Sequence, residues 1–294
     1  MTEILIVGCG YVGTRLAHKY QERGECVRAL VRSEAGLRRL EAGGVPAVRC
    51  DLAGEELPGL PLAGSRLFHL APPPGQGIQD LHTRRLVSAF ERTGSPSRVV
   101  YISTTGVYGD CRGAWVDETW PVQPAVERAR RRWDAEETLR RWSLETRGEL
   151  VILRVAGIYG PDRLPLARIQ QGLPLVREED APYSNRIHVT DLVTALETAM
   201  DRGVPGAVYN ACDGNPTTMT DYFLKVADAV GLPRPPLIPL AESAQQLSEG
   251  MLSYLGESRR LSNRKLRDEL GVQLRYPTLA AGLAEISGPP GQPG

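Results

Sequence analysis

Near the start of the chain, Gly8, Gly10 and Gly13 stand in a G-x-G-x-x-G spacing. They follow a short apolar run ending at Val7 and lead at once into a helical pattern that begins at Tyr11. Each glycine then has a physical task. Gly8 allows a tight turn off a strand, Gly10 lets a pyrophosphate approach the backbone, and Gly13 lets the helix pack close to the strand. The first helical N–H groups, at Tyr11 and Val12, offer partial positive charge to phosphate oxygens. A glycine turn in some other α/β protein is the alternative. A second apolar run, Cys26 to Val31, arrives at the distance a βαβ unit needs and favours the dinucleotide reading.

The end of that second run bears on coenzyme choice. Sites for NAD usually place an Asp or Glu here to hold both ribose hydroxyls. This chain has Arg32 and Ser33 instead, with no acid before Glu34. An arginine pairs with a 2′-phosphate and a serine adds a hydrogen bond, so NADP is preferred, with NAD as the alternative if Arg32 is merely solvated. Asp51 and Leu52 stand where an adenine contact would fall, or form a plain turn. Ala71 opens a small, proline-rich stretch that would lie against the coenzyme, while His69, inside an apolar strand, reads as a core histidine.

Further along, a buried run ends in Ser103-Thr104-Thr105-Gly106-Val107-Tyr108, a hydroxyl cluster at the carboxyl end of a strand. Thr104 stands in that cluster, and Tyr108, close to the strand end, is a candidate acid with a structural tyrosine as the alternative. Arg154, Asn185 and Arg186 are candidate anion contacts for a substrate, with a brace for the lobe as the alternative for Arg154; His188 titrates in a useful range, with a structural role as its alternative.

The elements that must position these residues alternate. Strands read at Glu3–Val7, Cys26–Val31, Val45–Cys50, Arg66–Leu70 and Arg98–Ser103, with helices at Tyr11–Arg23, Glu34–Glu41 and Ile78–Thr93. Continuous apolar strands between helices predict an α/β fold with a doubly wound parallel sheet of the Rossmann type, whose ligands sit at the carboxyl ends of the strands. After about Gly160 the units shorten. Helices are predicted at Leu164–Gln171, Asp191–Asp201, Thr220–Val230, Ala241–Glu249 and Ser262–Leu270. The expected organisation is a coenzyme domain over 1–160, a smaller C-terminal α+β substrate lobe over 161–286, and a Pro/Gly-rich disordered tail over 287–294.

Formal net charge is zero over 294 residues, so no global field attracts nucleic acid or an acidic membrane. The arginine run Arg130-Arg131-Arg132 is balanced by Asp134, Glu136 and Glu137 and reads as a solvated helix face. No stretch approaches a membrane span, and the N-terminus lacks a basic leader. The five cysteines are scattered without a C-x-x-C pair, which suits a reducing cytoplasm and gives no metal-ligand spacing.

Taken together, Gly8-x-Gly10-x-x-Gly13, Ser103 to Gly109, Leu153-Arg154 through Tyr159-Gly160-Pro161, Arg186-Ile187-His188-Val189-x-Asp191 and Tyr209-Asn210-Ala211-x-Asp213-Gly214 resemble the extended branch of the short-chain dehydrogenase/reductase superfamily, the nucleoside-diphosphate-sugar epimerase/dehydratase group. That resemblance implies a catalytic Ser/Thr at Thr104, a substrate lobe over the nicotinamide and a homodimer across the helix after Pro124. It also implies a Tyr and a Lys four residues apart on that helix, and there the chain departs from the pattern. The helix carries Arg128 and Arg132 at those places, or Glu127 and Arg131 with a one-residue slip, and no tyrosine in either register. Arg132 can hydrogen-bond a ribose but cannot relay a proton. The expectation is an atypical member: an NADP-binding oxidoreductase or epimerase-like enzyme for a polar, nucleotide-linked small molecule. The alternative is a coenzyme-binding sensor or partner-binding module without turnover.

Overall fold

The computed structural model describes residues 3–54, 57 and 61–287. The first half runs β1 (Ile4–Val7), α1 (Tyr11–Glu22), β2 (Val27–Val31), α2 (Glu34–Ala42), β3 (Ala47–Arg49), β4 (Arg66–His69), α3 (Leu81–Thr93), β5 (Arg98–Thr104), β6 (Trp115–Val116), α4 (Glu127–Thr146) and β7 (Glu149–Val155). The second half continues with β8 (Gly157–Tyr159), α5 (Leu166–Gln170), β9 (Leu175–Val176), β10 (Tyr183–Ser184), β11 (Arg186–His188), α6 (Val189–Arg202), β12 (Val208–Ala211), β13 (Thr217–Thr218), α7 (Met219–Ala229) and β14 (Leu237–Ile238). It closes with α8 (Ser243–Gln246), α9 (Glu249–Leu255), β15 (Arg260–Leu261), α10 (Arg264–Asp268) and α11 (Leu279–Ser287).

Seven strands form one parallel sheet in the order β12-β7-β5-β4-β1-β2-β3. β1 shows why both faces are covered. Its residues alternate sides, so Ile4 and Ile6 join a core with Leu16 and Tyr20 of α1 and Leu192 and Leu196 of α6. Leu5 and Val7 join the opposite core, with Phe90 of α3 and Leu139 and Trp142 of α4. All four are fully buried, and each stabilises the fold by roughly 1.5–3 kcal/mol relative to an exposed position. The chain leaves β1 toward β2 on one side and returns at β4 on the other. That reversal opens a crevice at the carboxyl ends, where the doubly wound architecture places ligands.

The C-terminal lobe is built from two-stranded pieces, β8 with β11, β9 with β14 and β10 with β13, around an apolar cluster of Tyr159, Phe223, Val226 and Leu283. Several boundaries shift by a residue or more from the sequence expectation, and three departures are larger in consequence. α3 starts at Leu81 rather than Ile78, because the buried Asp80 caps it, accepting from the Thr83 N–H at 3.1 Å. The helix expected over Ala241–Glu249 is broken, and Ser248 instead caps a separate α9 by accepting from the Met251 N–H at 3.4 Å. α11 was not expected. It follows Pro277 and packs Leu279 and Leu283 onto Tyr159, with Gly282 leaving room for the tyrosine ring. Residues 288–294 of the expected tail lie outside the described residues. Among the described residues no helix is long and apolar enough to cross a membrane.

Candidate active site

The three loop glycines occupy three different environments. Gly8 has φ +86°, and a Cβ there would lie 2.9 Å from Ala71 Cβ and closer still to the Ala71 backbone. Gly10 is the opposite case, since a Cβ built on it meets nothing within 4 Å. Gly13 faces inward, with Ile6 Cγ2 at 3.1 Å and Cys9 Sγ at 3.3 Å from its would-be Cβ. Gly10 also caps α1 without any side-chain cap, and the first turn holds no acid. The helix start therefore presents unneutralised N–H groups to open space, an environment that favours an anion. Cys9 beside it is buried, and its thiol is pushed up to about 11, so it carries no thiolate into the loop.

From Gly10 a cavity of about 230 Å³ runs across the carboxyl ends of β1 and β2. Gly8, Gly10, Arg32, Ser33, Asp51, Leu52 and Ala71 all line it. Tyr11, Val12 and Gly13 do not; they form the helix behind its wall. Ser33 caps α2, accepting from the Gly36 N–H at 3.1 Å, which leaves its hydroxyl proton free. Arg39 lines the same cavity and was not anticipated. Helical spacing could have found it, because Arg39 lies three residues after Gly36 on the same face of α2. Arg32 and Arg39 are both exposed, and neither has an ion-pair partner among the described residues. The cavity thus combines a phosphate cradle at one end with two uncompensated cations at the other. These residues fit a phosphorylated dinucleotide. Among the described residues no group of His, Cys, Asp or Glu could hold a metal ion.

Behind the crevice, α4 and β5 bring Thr104, Arg128 and Arg132 to one end of the sheet. Arg132 reaches between strands: its Nη1 donates to Ile102 O at 2.9 Å, Ala71 O at 3.3 Å and the Tyr101 hydroxyl at 3.2 Å. Its Nε and Nη2 make no hydrogen bond among the described residues. Thr104 is half-buried, and its hydroxyl accepts from the Gly106 N–H at 3.2 Å, so its proton points elsewhere. Arg128, at the place of the expected tyrosine, crosses to the C-terminal lobe. It donates to Ser253 Oγ at 2.5 Å and lies 4.6 Å over the Tyr254 ring.

Four candidates are engaged within the fold. Tyr108 is buried, and its hydroxyl donates to Asn210 Oδ1 at 2.7 Å; desolvation pushes the phenol up to about 12, so its proton stays on the hydroxyl and is directed into the fold. Arg154 is buried and paired with Glu136 through two bonds, Nε to Oε1 at 3.1 Å and Nη2 to Oε2 at 2.9 Å, and is closed to substrate. Asn185 spends its amide on Arg259 O at 3.0 Å and its carbonyl on the Leu261 N–H at 2.8 Å, which fastens β15. His188 is 1% exposed and caps α6, accepting from the Thr190 N–H at 3.3 Å between the Tyr159 and Tyr276 rings. Nor is the arginine face of α4 simply solvated, since Arg131 and Glu136 are both buried within it.

Arg186 remains available. β11 pairs it with the exposed Gly157, just past β7, whose Val155 pairs with Thr104. Its guanidinium stacks 3.8 Å over Tyr222 and donates to Ser184 Oγ at 2.9 Å and Asn185 O at 3.2 Å. Its Nε is buried without a partner, and no carboxylate pairs with it among the described residues. Asp213 and Asp221 act on this desolvated cation from beyond ion-pair distance, and an anionic ligand would supply the direct partner it lacks.

Asp213, also buried, has its carboxyl pushed up to about 7 by desolvation. The folded chain keeps a proton that an unfolded carboxyl of ordinary value 3.8 has already lost. Stability contributed by this group therefore falls as pH rises from about 4 to about 7. Asp213→Asn, neutral throughout, is expected to raise the melting temperature at about pH 8, by about 2–4 °C per kcal/mol recovered, and to leave it unchanged at about pH 4. Equal melting temperatures for both proteins at the higher pH would refute the shift.

Comparison with known proteins bears on the family and the fold. The model of the NAD dependent epimerase/dehydratase family matches residues 79–212. Protein YeeZ of Escherichia coli is 26% identical over 289 residues, covering 94% of this chain and 97% of its own. A 4-hydroxy-2-methyl-3-oxo-4-farnesyl-3,4-dihydroquinoline-1-oxide ketoreductase of Stigmatella aurantiaca is 27% identical over 246 residues, covering 76% of this chain and 72% of its own. A solved structure of a functionally unknown conserved protein from Silicibacter pomeroyi superposes with a TM-score of 0.82 at 30% identity, over 97% of this chain and 98% of that one. With its phosphate loop, its seven-stranded parallel sheet and no tyrosine on α4, the chain belongs to the short-chain dehydrogenase/reductase superfamily, as an atypical member of the NAD dependent epimerase/dehydratase family.

Proposed function

We infer that the chain is an NADP(H)-dependent oxidoreductase or epimerase-like enzyme acting on a polar, anionic small molecule of the nucleotide-linked class. The observation that carries this reading is the cavity itself, with the open Gly10 backbone at one end and Arg32 and Arg39 at the other. A dinucleotide held there would bring a nicotinamide able to supply or accept a hydride at a substrate carbon. Gly10 and the first N–H groups of α1 would hold the pyrophosphate. Arg32, Arg39 and the Ser33 hydroxyl would take the 2′-phosphate. The free edge of Arg132 would bind the ribose. Thr104 has its proton available to orient a substrate oxygen, and Arg186 would meet the substrate's anionic group. Arg128 cannot hand over a proton, but it can stabilise negative charge that develops on that oxygen. The ketoreductase among the relatives supports a ketone or its alcohol as the reacting group.

Coenzyme titration tests this directly. NADPH is expected to bind more tightly than NADH, by fluorescence, and Arg32→Ala is expected to remove roughly 10- to 100-fold of NADPH affinity while sparing NADH. Equal affinities in the unmodified protein would refute the NADP preference, and no binding of either would refute the coenzyme reading.

A further inference from the structure

The turn after β8 comes back onto the phosphate loop. Tyr11, whose N–H opens α1, donates its hydroxyl to Pro161 O at 2.7 Å, across 150 residues of sequence. Gly160 is packed so closely beneath that a Cβ there would lie 2.7 Å from Tyr11 Oη and 2.7 Å from Val189 Cγ1. Asp162 then takes a left-handed conformation, φ +62°, uncommon for a residue with a side chain. That bend carries Arg163 back against the start of α1, its guanidinium 5.1 Å from the Tyr11 ring centroid. Arg163 is exposed and has no ion pair or side-chain hydrogen bond among the described residues. A second guanidinium, Arg15, lies 4.1 Å from the same ring but is tied to Tyr11 O at 2.9 Å. Local backbone strain of this kind persists where the surroundings hold it, and it gathers at ligand clamps.

We propose that Arg163 is a coenzyme-positioning residue: it closes over the pyrophosphate from the C-terminal lobe, so that the bound phosphates tie the substrate lobe to the sheet. The proposal rests on the coenzyme reading above but makes a separate claim. Arg32 and Arg39 serve the 2′-phosphate, whereas Arg163 serves the diphosphate that NADH and NADPH share. Tyr11 is the platform that sets its height, and the Tyr11–Pro161 bond fixes the turn it stands on.

The test compares three probes by fluorescence and calorimetric titration of the full chain: NADPH, NADH and adenosine 2′-monophosphate. Arg163→Ala is expected to weaken NADPH and NADH by the same factor, roughly tenfold, the range for losing one charge-assisted hydrogen bond. It should leave adenosine 2′-monophosphate, which has no diphosphate, unchanged, and the unfolding midpoint with it. A bracing role alone would not separate the probes. Arg163→Lys should recover part of the loss, since it restores the charge without the fork. Tyr11→Phe should weaken both dinucleotides as Arg163→Ala does, by releasing the turn. Dinucleotide affinity within twofold of the unmodified protein in Arg163→Ala overturns the clamp while leaving the coenzyme reading standing. A fall shared by adenosine 2′-monophosphate also overturns it, because the loss would then be structural. Failure of the unmodified protein to bind either dinucleotide overturns the coenzyme reading and the clamp together.

Discussion

Gly10→Ala is expected to keep the fold and lose the coenzyme. A methyl group on Gly10 meets no protein atom within 4 Å, so the melting temperature should shift little. The same methyl would project into the space a phosphate must enter to reach the N–H groups of α1. Backbone approach is the reason a glycine is needed there, and losing several hydrogen bonds to a charged group at once should lower affinity 100-fold or more, about 3 kcal/mol. Gly8→Ala should fail the other way. Its φ of +86° is strained for alanine, and the added carbon runs into the Ala71 backbone. Backbone strain and overpacking each cost about 1–3 kcal/mol, so a destabilisation of about 2–6 kcal/mol is expected before any ligand is added. Urea denaturation and NADPH titration of the two variants check the contrast. A Gly10→Ala protein that binds NADPH as the unmodified chain does would remove the loop from the coenzyme site.

The contrast also shows which parts of the molecule were readable from the chain alone. Local rules place a phosphate loop where a strand, three spaced glycines and a helix coincide, and the sheet followed from apolar runs of strand length. Arg32 and Ser33 were legible because the end of β2 has a fixed place in this architecture. The candidate substrate residues were less legible, because their types suit two fates. An arginine at the end of β7 can face a ligand or an internal acid, and only packing decides. Arg154 meets Glu136 directly, whereas Arg186 stacks on Tyr222 and has no acid within ion-pair distance among the described residues. His188 and Asn185 are likewise polar groups whose partners, Thr190 and Leu261, come from the backbone and have no side-chain signature in sequence. The burial of Glu136 on a helix rich in charge was invisible for the same reason. Its partners, Ser103 and Arg154, come from two different strands.

That buried acid carries the second large effect. Glu136 is fully buried and holds three groups: Ser103 Oγ donates to Oε1 at 2.5 Å, Arg140 Nη2 to Oε2 at 3.1 Å, and Arg154 clasps both oxygens. Burial alone would lower the Arg154 affinity for its proton, but the Glu136 carboxylate outweighs that and raises it. Removing the carboxylate charge strands a guanidinium that is only 3% exposed. Glu136→Gln is therefore expected to destabilise the fold by about 3–5 kcal/mol, the usual cost of orphaning one member of a buried pair. Replacing both members with apolar residues, Glu136→Leu with Arg154→Met, should recover most of the loss, because the pair itself adds little net stability over packed side chains. Coenzyme affinity should not recover in step. Glu136 lies one helical turn beyond Arg132 on the same face of α4, and its partner Ser103 directly precedes Thr104. The pair thus sets the rotation of α4 against β5, and so the position of the Arg132 guanidinium against Ala71 and Ile102. Urea denaturation of the single and double variants, beside NADPH titration of each, separates the two roles. A single variant within about 1 kcal/mol of the unmodified protein would show that Arg154 has another counter-ion and that the network does not exist as described.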